Sequence, residues 1–368
     1  MEAEKRGGIQ ELFAGIVKLL LLFVVLYFFM FAIKLMGAAF KMYGKDFAEM
    51  LMQRTANPVV GVFIGLLATA LVQSSSCTTS IVVGLVAAGA LTIGNAVPLI
   101  MGANIGTTVT NTLISMAHIT RGAEFKRAFA SATVHDFFNI IAVLFMLPLE
   151  MATGFLSRSA VWLEGLLVGT GGIEFVGPLD MILDPAVDYA KHLIGAHPWL
   201  LIAISFVIIY FSLKFLVDIM KSLVMSKIES YFNSYLFKTP LRAFVLGILF
   251  TVMVQSSSIT TSLAVPLAGA GILTIQQIFP YTLGANIGTT ITAMLAAMIT
   301  ASPAAISVAF AHFLFNAFGT ILILPIRTVP PRMSVAFAEI AVKRKFLTIS
   351  YIVVVFYLIP LAVILMMG

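Results

Sequence analysis

Charge is what this chain has least of. Charged residues make up 10% of its 368 positions and hydrophobic residues 60%, where a soluble domain carries roughly 25% charge. Mean hydropathy is +1.06. The shortage excludes an ordinary soluble domain and points to an integral membrane protein. Cysteine is nearly absent too: the lone Cys77 can form neither an intrachain disulfide nor a cysteine-based metal site. The apolar runs are long and lack the alternation, about ten residues at a time, of an outer-membrane barrel. The expected fold is therefore an all-α integral membrane protein. No cleavable signal is expected, because the apolar run over residues 12–36 is long enough to span and lacks a clear small-residue cleavage site. The net charge of +6 carries no expectation of a nucleic-acid partner. The basic residues cluster in loops between apolar segments, as a lipid bilayer alone requires.

What is present is a repeat. Residues 69–110 and 251–292 align without a gap at an offset of 182, with 25 of 42 positions identical. Each copy holds Gln-Ser-Ser-Ser followed by Gly-Ala-Asn-Ile-Gly-Thr-Thr inside strongly apolar flanks. Duplicated polar breaks in hydrophobic segments are the best sequence pointer to a transporter's binding site. Three further residues, His135, Asn139 and Pro148, recur as His312, Asn316 and Pro325 at an offset of 177.

Segment length orders the rest. A first span covers residues 12–40. Residues 58–91 place Gln-Ser-Ser-Ser mid-way, and each arm is short of the about 20 residues needed to cross, so this is a re-entrant hairpin with the motif at its tip. Residues 95–119 can cross once, but Gly102, Asn104 and Gly106 sit at the centre, which favours a helix broken at mid-depth. Residues 127–149 form another span. The second half repeats the order: a span at 198–220, a hairpin at 240–273, a broken helix at 276–300 and a span at 303–325, followed by a last span at 346–366. This divides the chain into a first repeat (1–150), an extracytoplasmic connecting segment (151–197), a second repeat (198–326) and a cytoplasmic basic loop with the last helix (327–368). The loop after the first broken helix carries Arg121, Lys126 and Arg127, whereas its counterpart at 300–304 carries no basic residue. By the positive-inside rule the first is cytoplasmic and the second outside. The copies then form an inverted repeat, with the N-terminus in the cytoplasm and the C-terminus outside.

Polar backbone at membrane depth must be buried in protein or line a wet cavity. Helix N-termini there suit an anion, and unwound carbonyls suit a hard cation such as Na⁺. Serine and threonine hydroxyls serve both. Neither copy contains a basic residue, so a bound anion would lean on hydroxyls, amides, helix ends and co-bound cations. Packing competes for each motif taken singly, since membrane serines often bond to their own helix and Gly102-x-x-x-Gly106 is a small-xxx-small pattern. Asp136 is an intramembrane carboxylate and so a functional candidate. Its counterpart is Phe313, and this asymmetry favours a specialised role such as a cation ligand. His135 and His312 read as structural polar contacts. Asn139 and Asn316 read equally as amide ligands or as interhelical hydrogen bonds.

At these residues the chain resembles the type II sodium/phosphate cotransporters, through both Gln-Ser-Ser-Ser motifs, both Asn-Ile-Gly-Thr motifs and the run from Arg127 to Asn139. The resemblance implies an inverted-repeat transporter with two re-entrant hairpins and two broken transmembrane helices. It implies a phosphate site lined by Gln73, Ser74, Ser75, Ser76, Gln255, Ser256, Ser257 and Ser258. Sodium sites are expected at Asn104, Thr107, Thr110, Asp136, Asn139, Asn286, Thr289, Thr292 and Asn316, with Gln255 and Ser256 shared. In the family, the aspartate matching Asp136 is associated with electrogenic members. Serines of many members are replaced here by Ala103 and Ala285, and an acidic residue of vertebrate relatives by Arg121. The connecting segment cannot form the disulfide that those relatives carry.

The expectation is a secondary active symporter of the cell membrane that couples inward Na⁺ flux to uptake of inorganic phosphate, as HPO₄²⁻ and electrogenically, by alternating access. No cofactor is expected beyond the co-transported Na⁺. A homodimer is one assembly that the resemblance allows. An anion channel, or a carrier for another small oxyanion, is the alternative. No enzyme is expected, because the motif serines and the histidines both occur in pairs, whereas a catalytic base is needed once.

Overall fold

The computed structural model describes residues 2–169, 178–195, 197–228 and 237–368. Parts of the connecting segment and of the second repeat therefore lie outside the described residues. The rest is almost wholly helical. The first half comprises α1 (Glu2–Tyr43), α2 (Lys45–Arg54), α3 (Pro58–Val72), α4 (Ser75–Ala87), α5 (Ile93–Gly106), α6 (Val109–Ser115) and α7 (Gly122–Thr153). The connecting segment forms α8 (Phe155–Gly169) and α9 (Pro178–Ile194). The second half comprises α10 (Pro198–Ile228), α11 (Pro240–Val254), α12 (Ser257–Gly269), α13 (Ile275–Thr300) and α14 (Pro303–Ile323), then α15 (Val329–Lys343). A π-helical turn joins α16 (Lys345–Val353) to α17 (Ile359–Met367) as one span. Among the described residues six helices are long and apolar enough to cross a membrane, and α2 and α3 meet at a 100° bend.

The helix boundaries repeat with the sequence. Asn57 and Thr239, 182 residues apart, cap α3 and α11 ahead of Pro58 and Pro240, accepting from Val59 N at 3.0 Å and Arg242 N at 3.3 Å. Proline suits the first helical position because its missing N–H has no partner there in any case. Ser74 and Ser256 cap α4 and α12 by accepting from Cys77 N at 3.2 Å and Ile259 N at 3.3 Å. Thr92 and Thr274 open α5 and α13, where Asn95 and Gln277 reach back to the cap amides. Such caps matter more in a bilayer, where an unpaired amide has no water to turn to.

Both hairpins form as expected, but the glycines of the second motif do not break a helix. They let backbones touch. A Cβ on Gly102 would lie 1.8 Å from Val62 O, one on Gly65 1.9 Å from Leu99 O, and one on Gly106 2.5 Å from Leu66 O. The second copy repeats this seam: Cβ atoms on Gly284 and Gly247 would lie 1.9 Å from Phe244 O and 2.1 Å from Tyr281 O. Thus α5 is laid on α3 and α13 on α11, by the small-residue packing that membrane helices use. The expected second break is accordingly absent, and α13 runs continuously through Gly284–Gly288. The first interruption is a slight one at Thr107–Thr108, past the glycines, where both residues keep right-handed helical angles. The turn that follows carries Asn111, tied to α12 through Thr261; the straight copy has Ala293 there.

The stretch expected as a basic loop is also helical. Helix α15 packs along α7 through Phe337 against Phe129 and Phe137, with ring centroids 5.2 and 6.1 Å apart. Lys126 Nζ meets Glu339 Oε1 at 2.8 Å and holds that carboxyl below its usual range. Arg127 closes the far end of α12 by donating to the carbonyls of Ala268 and Gly269 at 3.1 and 2.9 Å.

Overpacking a close contact costs roughly 1–3 kcal/mol and sometimes more. Gly102→Ala should therefore lower the thermal midpoint of the detergent-solubilised protein clearly, because the atoms it meets are backbone. Gly37→Ala, with nothing within 4 Å of its Cβ, should leave the midpoint nearly unchanged. Equal midpoints for the two would refute the seam.

Candidate functional site

Each hairpin turns on one glutamine. Gln73 (φ 56°, ψ 29°) and Gln255 (φ 58°, ψ 25°) are left-handed residues that end α3 and α11. The next serine caps the returning helix with its side chain, and the two serines after it open that helix. At this point the amides of Ser75 and Ser76, and of Ser257 and Ser258, have no partner within their own helix. All four side chains are buried. Each tip therefore presents hydroxyls and free N–H donors at the positive end of a helix, an arrangement suited to an oxyanion.

The seams deliver the second motif to these tips. A Cβ on Gly106 or Gly288 would lie 2.7 Å from the Cβ of Thr69 or Thr251, each four residues before its glutamine. The tips differ in their state. In the second, Gln255 is 9% exposed; its Oε1 accepts from Thr292 Oγ1 at 2.9 Å and its Nε2 donates to Val252 O. In the first, Gln73 is exposed, and the matching Thr110 Oγ1 is buried without a partner. Thr69 Oγ1 donates to Thr78 Oγ1 at 2.9 Å. Their counterparts are unlinked: Thr251 Oγ1 has no partner, while the Thr260 carbonyl accepts from Tyr281 OH at 3.0 Å.

A chain of amides links α7, α13 and α5. His135 Nε2 meets Asn286 Oδ1 at 2.6 Å, Asn286 Nδ2 donates to Asn139 Oδ1 at 2.8 Å, and Asn139 Nδ2 donates to Asn104 O at 2.8 Å. All four residues are at most 4% exposed. The structure thus gathers Asn104, Asn139 and Asn286, and separately Gln255 with Thr292. Thr107 and Thr289 bond back to the carbonyls of Ala103 and Ala285 at 2.9 and 3.1 Å. Asn316 is turned to its own helix, donating to His312 O at 3.0 Å.

Asp136 stands apart from that chain. It is fully buried, and its Oδ2 accepts from Tyr351 OH at 2.7 Å and Thr112 Oγ1 at 3.4 Å. Its Oδ1 has no partner. Among the described residues no three His, Cys, Asp or Glu side chains converge, so a cation here would meet amide, hydroxyl and carbonyl oxygens beside one carboxylate. That donor set suits a hard ion.

Sequence reasoning missed several members of this interior. His135 makes the polar contacts expected of it, within the amide chain and to Asn111 Nδ2 through Nδ1 at 3.5 Å, but Asn111 is not among the residues expected there. Asn111 in turn bonds Thr261 at 2.7 Å and Ser262 at 3.1 Å. The signal was available, because Asn111 faces Ala293 in the repeat alignment, a polar residue in one copy only. Tyr351 lies outside both copies, and nothing in its sequence context marks it.

The fold and this interior define a multi-pass, all-helical membrane protein with paired re-entrant hairpins. The chain belongs to the Na+/Pi-cotransporter family, whose model matches residues 28–169 and 208–365. It is 32% identical to the sodium-dependent phosphate transport protein 2B of Pongo abelii, over 98% of this chain and 67% of that protein. The protein of the same name in Homo sapiens is 31% identical with the same coverage. The sodium-dependent phosphate transport protein 2A of Mus musculus is 33% identical over 94% of this chain and 67% of its own length. No solved structure matches.

Removing one partner of a buried hydrogen bond to a charged group costs about 1–3 kcal/mol. Tyr351→Phe should lower the thermal midpoint accordingly, and more than Tyr357→Phe, whose hydroxyl reaches only the Ala70 carbonyl at 3.2 Å. Thermal denaturation of the two variants side by side checks this.

Proposed function

We propose that this chain is a sodium-coupled symporter for inorganic phosphate, taking HPO₄²⁻ inward across the cell membrane by alternating access and moving net charge. The observation that carries the reading is the pair of serine-capped hairpin tips, each offering free N–H donors and hydroxyls in a buried setting. A desolvated dianion needs its charge balanced, and neither copy of the motif holds a basic residue. Co-bound sodium supplies the balance. The names of the relatives support the choice of ions.

In this reading Gln73 to Ser76 and Gln255 to Ser258 line the phosphate site. Sodium is held by the amide and hydroxyl oxygens of Asn104, Thr107, Thr110, Asn139, Asn286, Thr289, Thr292 and Asn316, with Gln255 and Ser256 joining the second tip. Asp136 is the remaining ligand: its Oδ1 is buried without a hydrogen-bond partner, which leaves that oxygen open to a cation. The copies lie in opposite orientations, with the N-terminus cytoplasmic and the C-terminus outside. This fits Arg127, in the second turn of α7 on the basic side, reaching the end of the second hairpin.

Radiolabelled phosphate uptake into proteoliposomes tests the reading. An inward sodium gradient should drive accumulation above equilibrium; equilibration that ignores the gradient would mean a channel. Asp136→Asn should reduce the net charge moved per phosphate. An unchanged ratio of current to uptake would remove Asp136 from the sodium site.

A further inference from the structure

The amide chain has a mirror image that is not connected. At the offsets that relate the copies, His135 and Asn139 of α7 correspond to His312 and Asn316 of α14, and Asn286 of α13 corresponds to Asn104 of α5. Helix α14 packs against α5 as α7 packs against α13. On one side His135, Asn286 and Asn139 are linked through contacts of 2.6 and 2.8 Å. On the other, His312 is fully buried and neither ring nitrogen has a partner, and Asn316 Oδ1 has none either. Asn104 Nδ2, which would join them, is folded back onto Ile100 O at 2.9 Å.

A buried polar atom left unpaired costs about 1–3 kcal/mol. Three such atoms in one pair of residues, in a chain that satisfies the same residues elsewhere, mark an arrangement made for another state. We propose that His312 is a positioning residue for the state opposite to this one. There it takes the Asn104 amide as His135 takes that of Asn286 here, Asn104 bonds Asn316, and the present chain opens. A neutral imidazole suits both places because it donates from one nitrogen and accepts at the other. The exchange keeps the number of satisfied groups nearly constant, which holds the two states within reach of each other so that cargo can bias them.

The mirror is imperfect in one respect. His135 is also anchored by Asn111, and the equivalent position beside His312 is Ala293. The present state therefore has an additional tie and is the resting arrangement of the empty protein. This inference rests on the two-state carrier reading given above.

The test reads conformation and needs no phosphate. Cys77 is the chain's only cysteine and is 2% exposed. It lies on α4, which packs against both α13 and α14, so the exchange changes its cover. In the purified full-length chain, His135→Ala and His312→Ala should shift the maleimide labelling rate of Cys77 in opposite directions, each on the order of five-fold for one lost hydrogen bond. Shifts in the same direction would show two merely structural histidines and overturn the proposal, as would unchanged rates. A second measurement covers loss of folding. In a Cys77→Ser background, a short bis-methanethiosulfonate should bridge cysteines placed at 104 and 312, as well as at 135 and 286. Bridging of the second pair alone would equally overturn the proposal. Sodium-driven uptake by the unmodified chain, measured in parallel, separates the two ideas: uptake with no exchange removes the switch, and exchange without uptake removes the transport reading.

Discussion

Two helices can touch backbone to backbone only where neither carries a side chain at the crossing, and this structure depends on that contact twice. Gly65, Gly102 and Gly106 on one seam, and Gly247, Gly284 and Gly288 on the other, bring carbonyls to within 1.8–2.8 Å of where a Cβ would stand. The contact fixes the height at which each Asn-Ile-Gly-Thr-Thr segment meets its hairpin. The threonine hydroxyls then arrive near the serine-capped turns, on continuous helix in the second copy and at a slight interruption in the first. Groups positioned this way are held more closely than groups on a loop.

With that frame set, the interior is governed by the cost of burying polar groups. Among the described residues nearly forty polar or charged ones are buried, and most find partners through back-bonds to their own helix or through the amide chain. Some of the exceptions lie where the copies differ. Asn111 accepts from Thr261 and Ser262, whereas Ala293 stands in its place beside the first hairpin, where Ser80 Oγ is unpaired. Tyr281 satisfies the Thr260 carbonyl; Leu99 cannot do the same for Thr78. Asp136, the one carboxylate among them, draws its partner from the final span, which couples a helix outside both repeats to the first copy's interior.

Much of this was legible in sequence. The repeat, the spans and both hairpin tips follow from hydrophobic length and from motifs whose caps are local: Ser74 needs only Cys77, and Asn57 only Val59. What could not be read there depended on partners distant in the chain. Gly102 and Gly106 favour a break when read in sequence and form a packing face in the structure, and only the helix opposite decides; that helix is α3, where their Cβ positions meet Val62 O and Leu66 O. His135 meets Asn286, 151 positions away, and Asp136 meets Tyr351, 215 away. The basic stretch before the last span looked like a loop because its prolines and charges are those of one. Its phenylalanine and alanine face is explained only by the α7 surface beneath it.

The two turn glutamines have a consequence of their own. A glycine would hold the left-handed angles of Gln73 and Gln255 without steric penalty, whereas an L side chain there gives up roughly 1–2 kcal/mol. The chain accepts that loss at both hairpins, and with it the chance of a slacker, more adaptable bend. A tip built on glycine could swing about its own turn. One built on glutamine is stiff there, so any movement of the tip must carry the two flanking helices along as a single lever.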